Sequence, residues 1–233
     1  EDPMHSKQTV AILLLAASVL ACATGEKADT DTSAAAAAAG SDPDIATGGQ
    51  GVPSGYVGRT DRDNVNITDA SYTATGNRWE VKTGPAHIIY AAKDSATGSY
   101  TVSTAIEQMA APAHPEAFGL FIGGQNLDQP SQKYTYFVVR GTGEYLVKVR
   151  EGGETRDVVK WTASDAIPKQ DGSGKASYRL SAQVTADSVR FMVNDAAVAT
   201  VAKSAITTDG LAGLRINHNL HLTVQPVEIR KQG

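Results

Sequence analysis

Apolar and polar residues alternate along most of the chain, in short runs separated by glycine, asparagine and aspartate. A period of two places successive side chains on opposite faces of a β-strand. The pattern predicts strands at 65–74, 78–82, 86–91, 100–108, 118–123, 133–140, 144–150, 155–161, 176–184, 189–194, 196–201, 211–217 and 222–229. Many evenly spaced strands without a long helix are typical of an antiparallel sandwich or barrel.

The clearest local pattern is a hairpin around the loop Gly141-Thr142-Gly143. A three-residue loop with a left-handed glycine predicts that Arg140 pairs with Glu144 and Phe137 with Val147. A two-residue loop would place Phe137 opposite Lys148 and mix the two faces, so we prefer the three-residue loop. The predicted apolar face holds Phe137, Val139, Tyr145, Val147 and Val149. The opposite face holds Tyr134, Tyr136, Val138, Arg140, Glu144, Leu146, Lys148 and Arg150.

The same alternation predicts the core between two sheets. Residues spaced by two point to one side of their strand, so the apolar pairs on each strand face inwards together. The predicted core residues are Phe137, Val139, Val147, Phe191, Val193, Leu214 and Ile216.

The N-terminal part is predicted to serve export and anchoring. Residues 1–3 precede Met4 and are interpreted as an expression remnant, and residues 4–21 as a signal peptide with an apolar region at 10–20. Val19-Leu20-Ala21-Cys22 resembles the bacterial lipoprotein box, so lipidation of Cys22 is expected; an ordinary cleaved signal peptide is the alternative. Residues 22–53, rich in Ala, Asp, Thr and Gly, are predicted to form a disordered tether. With Ala23 next to the cysteine, the expected location is the cell envelope, on the outer membrane.

Charge separates the tether from the domain. Residues 1–21 carry −1 and residues 22–52 carry −4, which leaves +1 of the net −4 for the rest of the chain. A near-neutral domain over residues 54–233 lacks the concentrated positive charge that nucleic-acid binding requires. We therefore expect no nucleic-acid partner, and contact with a membrane through the lipid anchor only.

Several longer stretches resemble a known family. These are His114-Pro-Glu-Ala-Phe-Gly-Leu-Phe-Ile-Gly-Gly, residues 134–148, Val189-Arg-Phe-Met-Val-Asn and Gly213-Leu-Arg-Ile-Asn-His-Asn-Leu. They are similar to secreted bacterial concanavalin A-like domains, of the laminin G-like and 3-keto-disaccharide hydrolase-like (family 16 glycoside-hydrolase-related) groups. The resemblance implies an all-β, two-sheet antiparallel jelly-roll sandwich, and it leaves lectin, hydrolase and adhesion functions open.

No catalytic residues are predicted. A glucanase of this fold would need two carboxylates flanking one glycosidic bond, and the sequence has no Glu-x-Asp-x-x-Glu run. The acidic group Glu151, Glu154 and Asp157 lies around a Gly-Gly turn and is interpreted as a solvated loop. A hydrolase or lyase of the 3-keto-disaccharide type remains the alternative.

No cofactor is predicted either. Asp61, Asp63 and Asn64 offer oxygens that calcium accepts, but without an EF-hand pattern a turn is the preferred interpretation. His218 and His221 are three residues apart, which on a strand points them to opposite faces. Trp79 and Trp161, both beside apolar strand residues, are expected in the core.

The predicted function is binding of a glycan or another cell-envelope component by a surface-tethered lipoprotein. The polar hairpin face supplies ring faces and donors, and amides and a histidine from loops would line the rim. The predicted ligand-binding residues are Tyr134, Tyr136, Arg140, Lys148, Arg150, Gln125, Asn126, Asn217 and His218. The rival interpretation is a structural domain in which Arg140 and Glu144 merely pair across the hairpin.

Overall fold

The computed structural model describes residues 43–232, which form two antiparallel β-sheets. The seven-stranded sheet contains β1 (Val57–Thr60), β4 (His87–Ala96), β6 (Ala117–Gln125), β7 (Lys133–Arg140), β8 (Glu144–Glu151), β9 (Glu154–Ala163) and β13 (Gly210–Ile216). The eight-stranded sheet contains β2 (Ser71–Thr75), β3 (Arg78–Lys82), β5 (Tyr100–Gln108), β10 (Ala176–Val184), β11 (Ser188–Val193), β12 (Ala196–Ala202), β14 (His221–Val224) and β15 (Glu228–Lys231). Two short 3₁₀ helices span Ile67–Asp69 and Lys203–Ala205. The predicted all-β sandwich is confirmed.

Strand order interleaves distant parts of the chain. The seven-stranded sheet runs β1-β4-β13-β6-β7-β8-β9, so the late strand β13 lies between β4 and β6. The eight-stranded sheet runs β12-β11-β10-β5-β14-β3-β2, and β15 also pairs with β5. Such crossovers between two sheets distinguish a jelly roll from a simple meander of consecutive hairpins.

The predicted hairpin register is confirmed in full. Arg140 lies opposite Glu144, Phe137 opposite Val147 and Tyr136 opposite Lys148. Gly143 has a φ of 89°, the left-handed conformation that the three-residue loop requires.

The core between the sheets is closely packed and apolar. All seven predicted core residues belong to one cluster of buried side chains. At its centre the Phe137 and Phe191 rings, from opposite sheets, lie 5.1 Å apart between centroids. Burying one such side chain contributes roughly 1.5–3 kcal/mol to folding.

The predicted strands differ from the observed ones mainly near the ends of the domain. The predicted strand 65–74 is wrong in its first half, where Asn66 caps a 3₁₀ helix by accepting from the Thr68 amide. Strand β1 was not predicted, and the predicted strand 222–229 is two strands separated by residues 225–227. The strands β1, β14 and β15 are four residues long, and so short a run carries little alternation for a sequence pattern to detect.

Part of the predicted tether lies along the domain. The amide of Thr47 donates to the Asp69 carbonyl, the amide of Ile45 donates to the Asn219 side chain, and Gly51 forms a bridge with Ser71. These contacts are made by backbone groups, so the Ala- and Asp-rich composition gives no sign of them. The predicted signal peptide, Cys22 and the tether up to residue 42 lie outside the described residues.

A second apolar cluster lies on the other side of the seven-stranded sheet, away from the core. We call this side the outer face; it is formed by Arg59, Ile88, Tyr90, Ala117, Phe121, Tyr134, Tyr136, Val138, Arg140, Leu146, Lys148, Arg150, Trp161, Gly213 and Arg215. Between residues 43 and 232, no helix is long and apolar enough to cross a bilayer.

Candidate functional site

Aromatic rings form the floor of the outer face. The Phe121 ring lies over Gly213, where a Cβ would come within 2.6 Å of the ring. Its centroid is 5.3 Å from that of Tyr134, which is 5.8 Å from that of Tyr136. Gly213 therefore makes room for an aromatic layer that a bulkier residue would displace.

The loop after β1 brings a carboxylate onto this floor. Both Asp61 oxygens accept hydrogen bonds from Arg215, at 2.8 Å from Nη1 and 2.5 Å from Nη2. The side chain of Arg215 is only 8% exposed, and its guanidinium lies 5.6 Å from the centre of the Tyr136 ring. Burial by itself lowers the pKa of Arg215, but Asp61 more than compensates, so the net pKa is raised and the residue stays charged.

A second arginine approaches the same carboxylate. Arg150 Nη1 lies 3.6 Å from Asp61 Oδ1, and Arg150 Nε donates to the Gly152 carbonyl at 3.1 Å. On β8, Arg150 is opposite Tyr134 and Lys148 is opposite Tyr136. We call Asp61, Arg150, Arg215, Tyr134 and Tyr136 the Asp61 cluster. Two cations share one anion in it.

The two tyrosines are buried more deeply than the sequence prediction required. Tyr134 is 1% exposed and Tyr136 9% exposed, so the prediction that they offer ring faces to a ligand is wrong. Phe121, Arg215 and the neighbouring side chains cover the rings. Burial raises the pKa of both phenols, which remain protonated.

Trp161, on β9, is a partly exposed aromatic residue of this face. The Arg140 guanidinium stacks on its ring at 4.2 Å from the centroid, while Arg140 Nε donates to Glu144 at 2.8 Å. Trp161 is half-buried and packs against the outer cluster, so its predicted place in the inter-sheet core is wrong. Trp79 is partly buried against the inter-sheet core, beside Tyr56.

A further ion pair completes the polar part of the face. Lys148 Nζ lies 3.1 Å from Asp157 on β9, and its side chain is 19% exposed. The cationic hairpin residues Arg140, Lys148 and Arg150 thus share one face, as predicted.

The four predicted rim residues do not line one rim. Gln125 is the last residue of β6 and Asn126 follows it, and the Gln125 side chain donates to the Asp209 carbonyl. Asn217 and His218 follow β13, at the opposite end of the sheet, because the two strands are antiparallel. There His218 Nε2 is 2.9 Å from Glu116 Oε1, and Nδ1 is 3.2 Å from Asp44. The side-chain amide of Asn217 also donates to Glu116.

The suggested calcium ligands are arranged differently from a calcium site. Both carboxylate oxygens of Asp61 already accept hydrogen bonds from the positively charged Arg215. In the part of the chain that the structure describes, no three His, Cys, Asp or Glu side chains are grouped to hold a metal ion.

Sequence reasoning missed Asp61, Arg215, Asp157 and Trp161 as members of the site. Arg215 did carry a signal, since it alternates with the inward-facing Leu214 and Ile216 and must point outwards. Asp61 carried no such sequence signal, because the position of a residue in a loop does not show which sheet the loop packs against.

The two sheets and their crossovers define a concanavalin A-like jelly roll. No family model matches the sequence, and no curated protein is similar to it. Solved structures with this fold include the carbohydrate-binding module CBM66 from Bacillus subtilis (TM-score 0.53, 14% identity, 81% of this chain and 99% of that chain). A family 16 endo-glucanase from Bacteroides ovatus has a TM-score of 0.53 and 9% identity, over 75% of this chain and 94% of that chain. A Bacillus subtilis protein of unknown function with a galectin-like fold has a TM-score of 0.51 and 8% identity, over 76% of this chain and 89% of that chain. At these identities the likeness establishes the fold alone.

Proposed function

We propose that this protein binds carbohydrate on the outer face of its seven-stranded sheet. The observation that carries the proposal is the composition of this face, which combines a half-buried tryptophan, three ion pairs and an aromatic floor. Sugars present apolar C–H faces that stack on aromatic rings and hydroxyls that form hydrogen bonds with charged side chains. Trp161 supplies the first kind of contact, and Arg140, Lys148 and Asp157 supply the second.

The similar structures support this proposal at a coarse level. One is named as a carbohydrate-binding module and another as an endo-glucanase. Their shared fold therefore serves glycan recognition in at least two proteins, with and without hydrolysis.

The carboxylates of the outer face favour binding over glycoside hydrolysis. A general acid needs a raised pKa, whereas the carboxylates of Asp61, Glu144 and Asp157 are all paired with lysine or arginine. For Glu144, the hydrogen bonds from Arg140 and Thr142 lower the pKa. The environment of Glu144 therefore stabilises its ionised form, which is the wrong form for protonating a leaving group.

We also propose that Cys22 is lipidated and anchors the domain to the cell envelope, on the outer membrane. This rests on the sequence of residues 4–22 alone. Metabolic labelling with a palmitate analogue tests it: the wild-type protein should be labelled and Cys22→Ala should not, and an unlabelled wild-type protein would contradict the anchor.

Glycan binding is tested first with the purified protein on an array of neutral, acidic and sulfated oligosaccharides. Calorimetry with a bound glycan then compares the wild type with Trp161→Ala and Arg140→Gln. We expect affinity to fall by about tenfold or more in each, since both variants remove a direct contact. Trp79→Phe, which alters the other tryptophan between Tyr56 and Tyr72 on the eight-stranded sheet, is the matched control and should bind as the wild type does.

Thermal melts of each variant separate lost binding from lost folding. Binding that survives both outer-face substitutions would place the site elsewhere. If no glycan binds, the ion pairs of this face serve only to hold the sheet, and the structural interpretation replaces the proposal.

A further inference from the structure

The Asp61 cluster has more positive charge than its own carboxylate neutralises. Asp61 is the anion that faces both Arg150 and Arg215. Arg215 takes both carboxylate oxygens at hydrogen-bonding distance, whereas Arg150 remains at 3.6 Å. Arg150 is therefore the arginine that keeps capacity for another anion.

The orientation of Arg150 is fixed by the protein. Its Nε donates to the Gly152 carbonyl, and its side chain is 12% exposed. Because Nε is already engaged, the two terminal nitrogens are the groups left to face a ligand. A guanidinium held in this way loses little freedom when it binds a carboxylate.

Two cross-strand pairs of the hairpin flank this guanidinium. Tyr134, the cross-strand partner of Arg150, is buried beneath the face. The next pair along the same strands is Tyr136 and Lys148, which point to the same face. Lys148 is already paired with Asp157, so Arg150 is the cation of this block that lacks a close anion of its own.

We infer that the outer face selects acidic glycans, with the carboxylate of a uronic acid bound by Arg150. This inference rests on the proposed carbohydrate function and names its ligand class. Neutral sugars have no group that satisfies the excess positive charge of the cluster.

Calorimetry with a panel of oligosaccharides tests the inference. The panel contains oligomers of glucuronate, galacturonate and mannuronate, each beside its methyl ester, which keeps the chain length and removes the charge. We expect at least one acid to bind about tenfold or more tightly than its ester, and to bind more weakly as salt is raised.

Variants of the cluster locate the selectivity. Arg150→Gln should reduce affinity for the acid by about tenfold or more and leave affinity for the ester within about twofold, because only the charged contact is lost. Arg150→Lys should recover part of the loss. Arg190→Gln is the matched control, since Arg190 is exposed on β11 of the eight-stranded sheet and its loss should change neither affinity.

The outcomes separate a failure of the uronate inference from a failure of the proposed carbohydrate binding. Esters that bind as tightly as acids, or an Arg150→Gln protein that keeps its preference, would overturn the uronate inference and leave carbohydrate binding intact. If no member of the panel and no glycan of the array binds to folded protein, both the inference and the proposed function fail.

Discussion

Replacing Asp61 with asparagine should destabilise the protein more than any other single change to the charged residues of the outer face. The substitution keeps the size of the side chain and removes the charge that faces Arg215. Arg215 is 8% exposed and its Nε already lacks a partner, so the guanidinium would remain buried without an anion. Breaking a buried pair costs about 3–5 kcal/mol. Asp61 itself is 29% exposed, and water reaching that side reduces the expected loss to about 2–3 kcal/mol.

Urea unfolding monitored by tryptophan fluorescence measures this loss of stability. We expect a lower midpoint urea concentration, and an unchanged slope of the unfolding free energy against urea concentration. For a domain of this size the melting temperature should fall by about 5–10 °C. The matched control is Asp195→Asn, which breaks the pair of Asp195 with Arg179, whose side chains are 74% and 60% exposed. That loss should stay below about 1 kcal/mol.

A second substitution separates the buried charge from other effects of changing Asp61. Adding Arg215→Met to Asp61→Asn removes the unpaired cation and should recover much of the stability, since an apolar residue of similar length suits a buried site. An Asp61→Asn protein no less stable than Asp195→Asn, or a double variant without recovery, would refute the role assigned to this pair.

Three further perturbations test the fold. Phe137→Ala should cost about 3–5 kcal/mol in urea unfolding, because it empties the centre of the core; a loss under about 1 kcal/mol would contradict that packing. Gly143→Ala should cost about 1–2 kcal/mol, since its φ is 89°, whereas Gly153→Ala in the next turn, with open space at its Cβ, should be nearly neutral; equal effects would argue against the loop conformation. Burial lowers the pKa of His87 to about 4, below its ordinary 6.5, so the unfolded chain binds more protons between these values. Stability should be complete above pH 6.5 and fall by up to about 3 kcal/mol towards pH 4, and His87→Gln should flatten this slope; an unchanged slope would exclude His87 as its source.

The alternation of residues was sufficient to predict the sandwich, the hairpin register and the core. Each depends on a period of two repeated over many residues, and a shift by one residue would bury Lys148 or Arg140. The loop length could also be predicted from the sequence. Gly143 permits the three-residue loop, which keeps the apolar and polar side chains on opposite faces of the hairpin.

The site was predicted only in part, because its other half comes from distant segments. The hairpin face was assigned correctly, but alternation cannot show that Asp61, seventy-three residues before Tyr134, closes over the same face. The burial of Tyr134 follows from that closure and from Phe121 above Gly213. A local pattern identifies which way a side chain points, and long-range packing decides whether a ligand can reach it.

The location of bound sugar tests the central claim most directly. A crystal structure of the protein with an oligosaccharide chosen from the array should show the sugar on the outer face, with one ring against Trp161 and a polar group at Arg150. Ordered sugar on the eight-stranded sheet, or at the strand ends beside His218, would contradict the account.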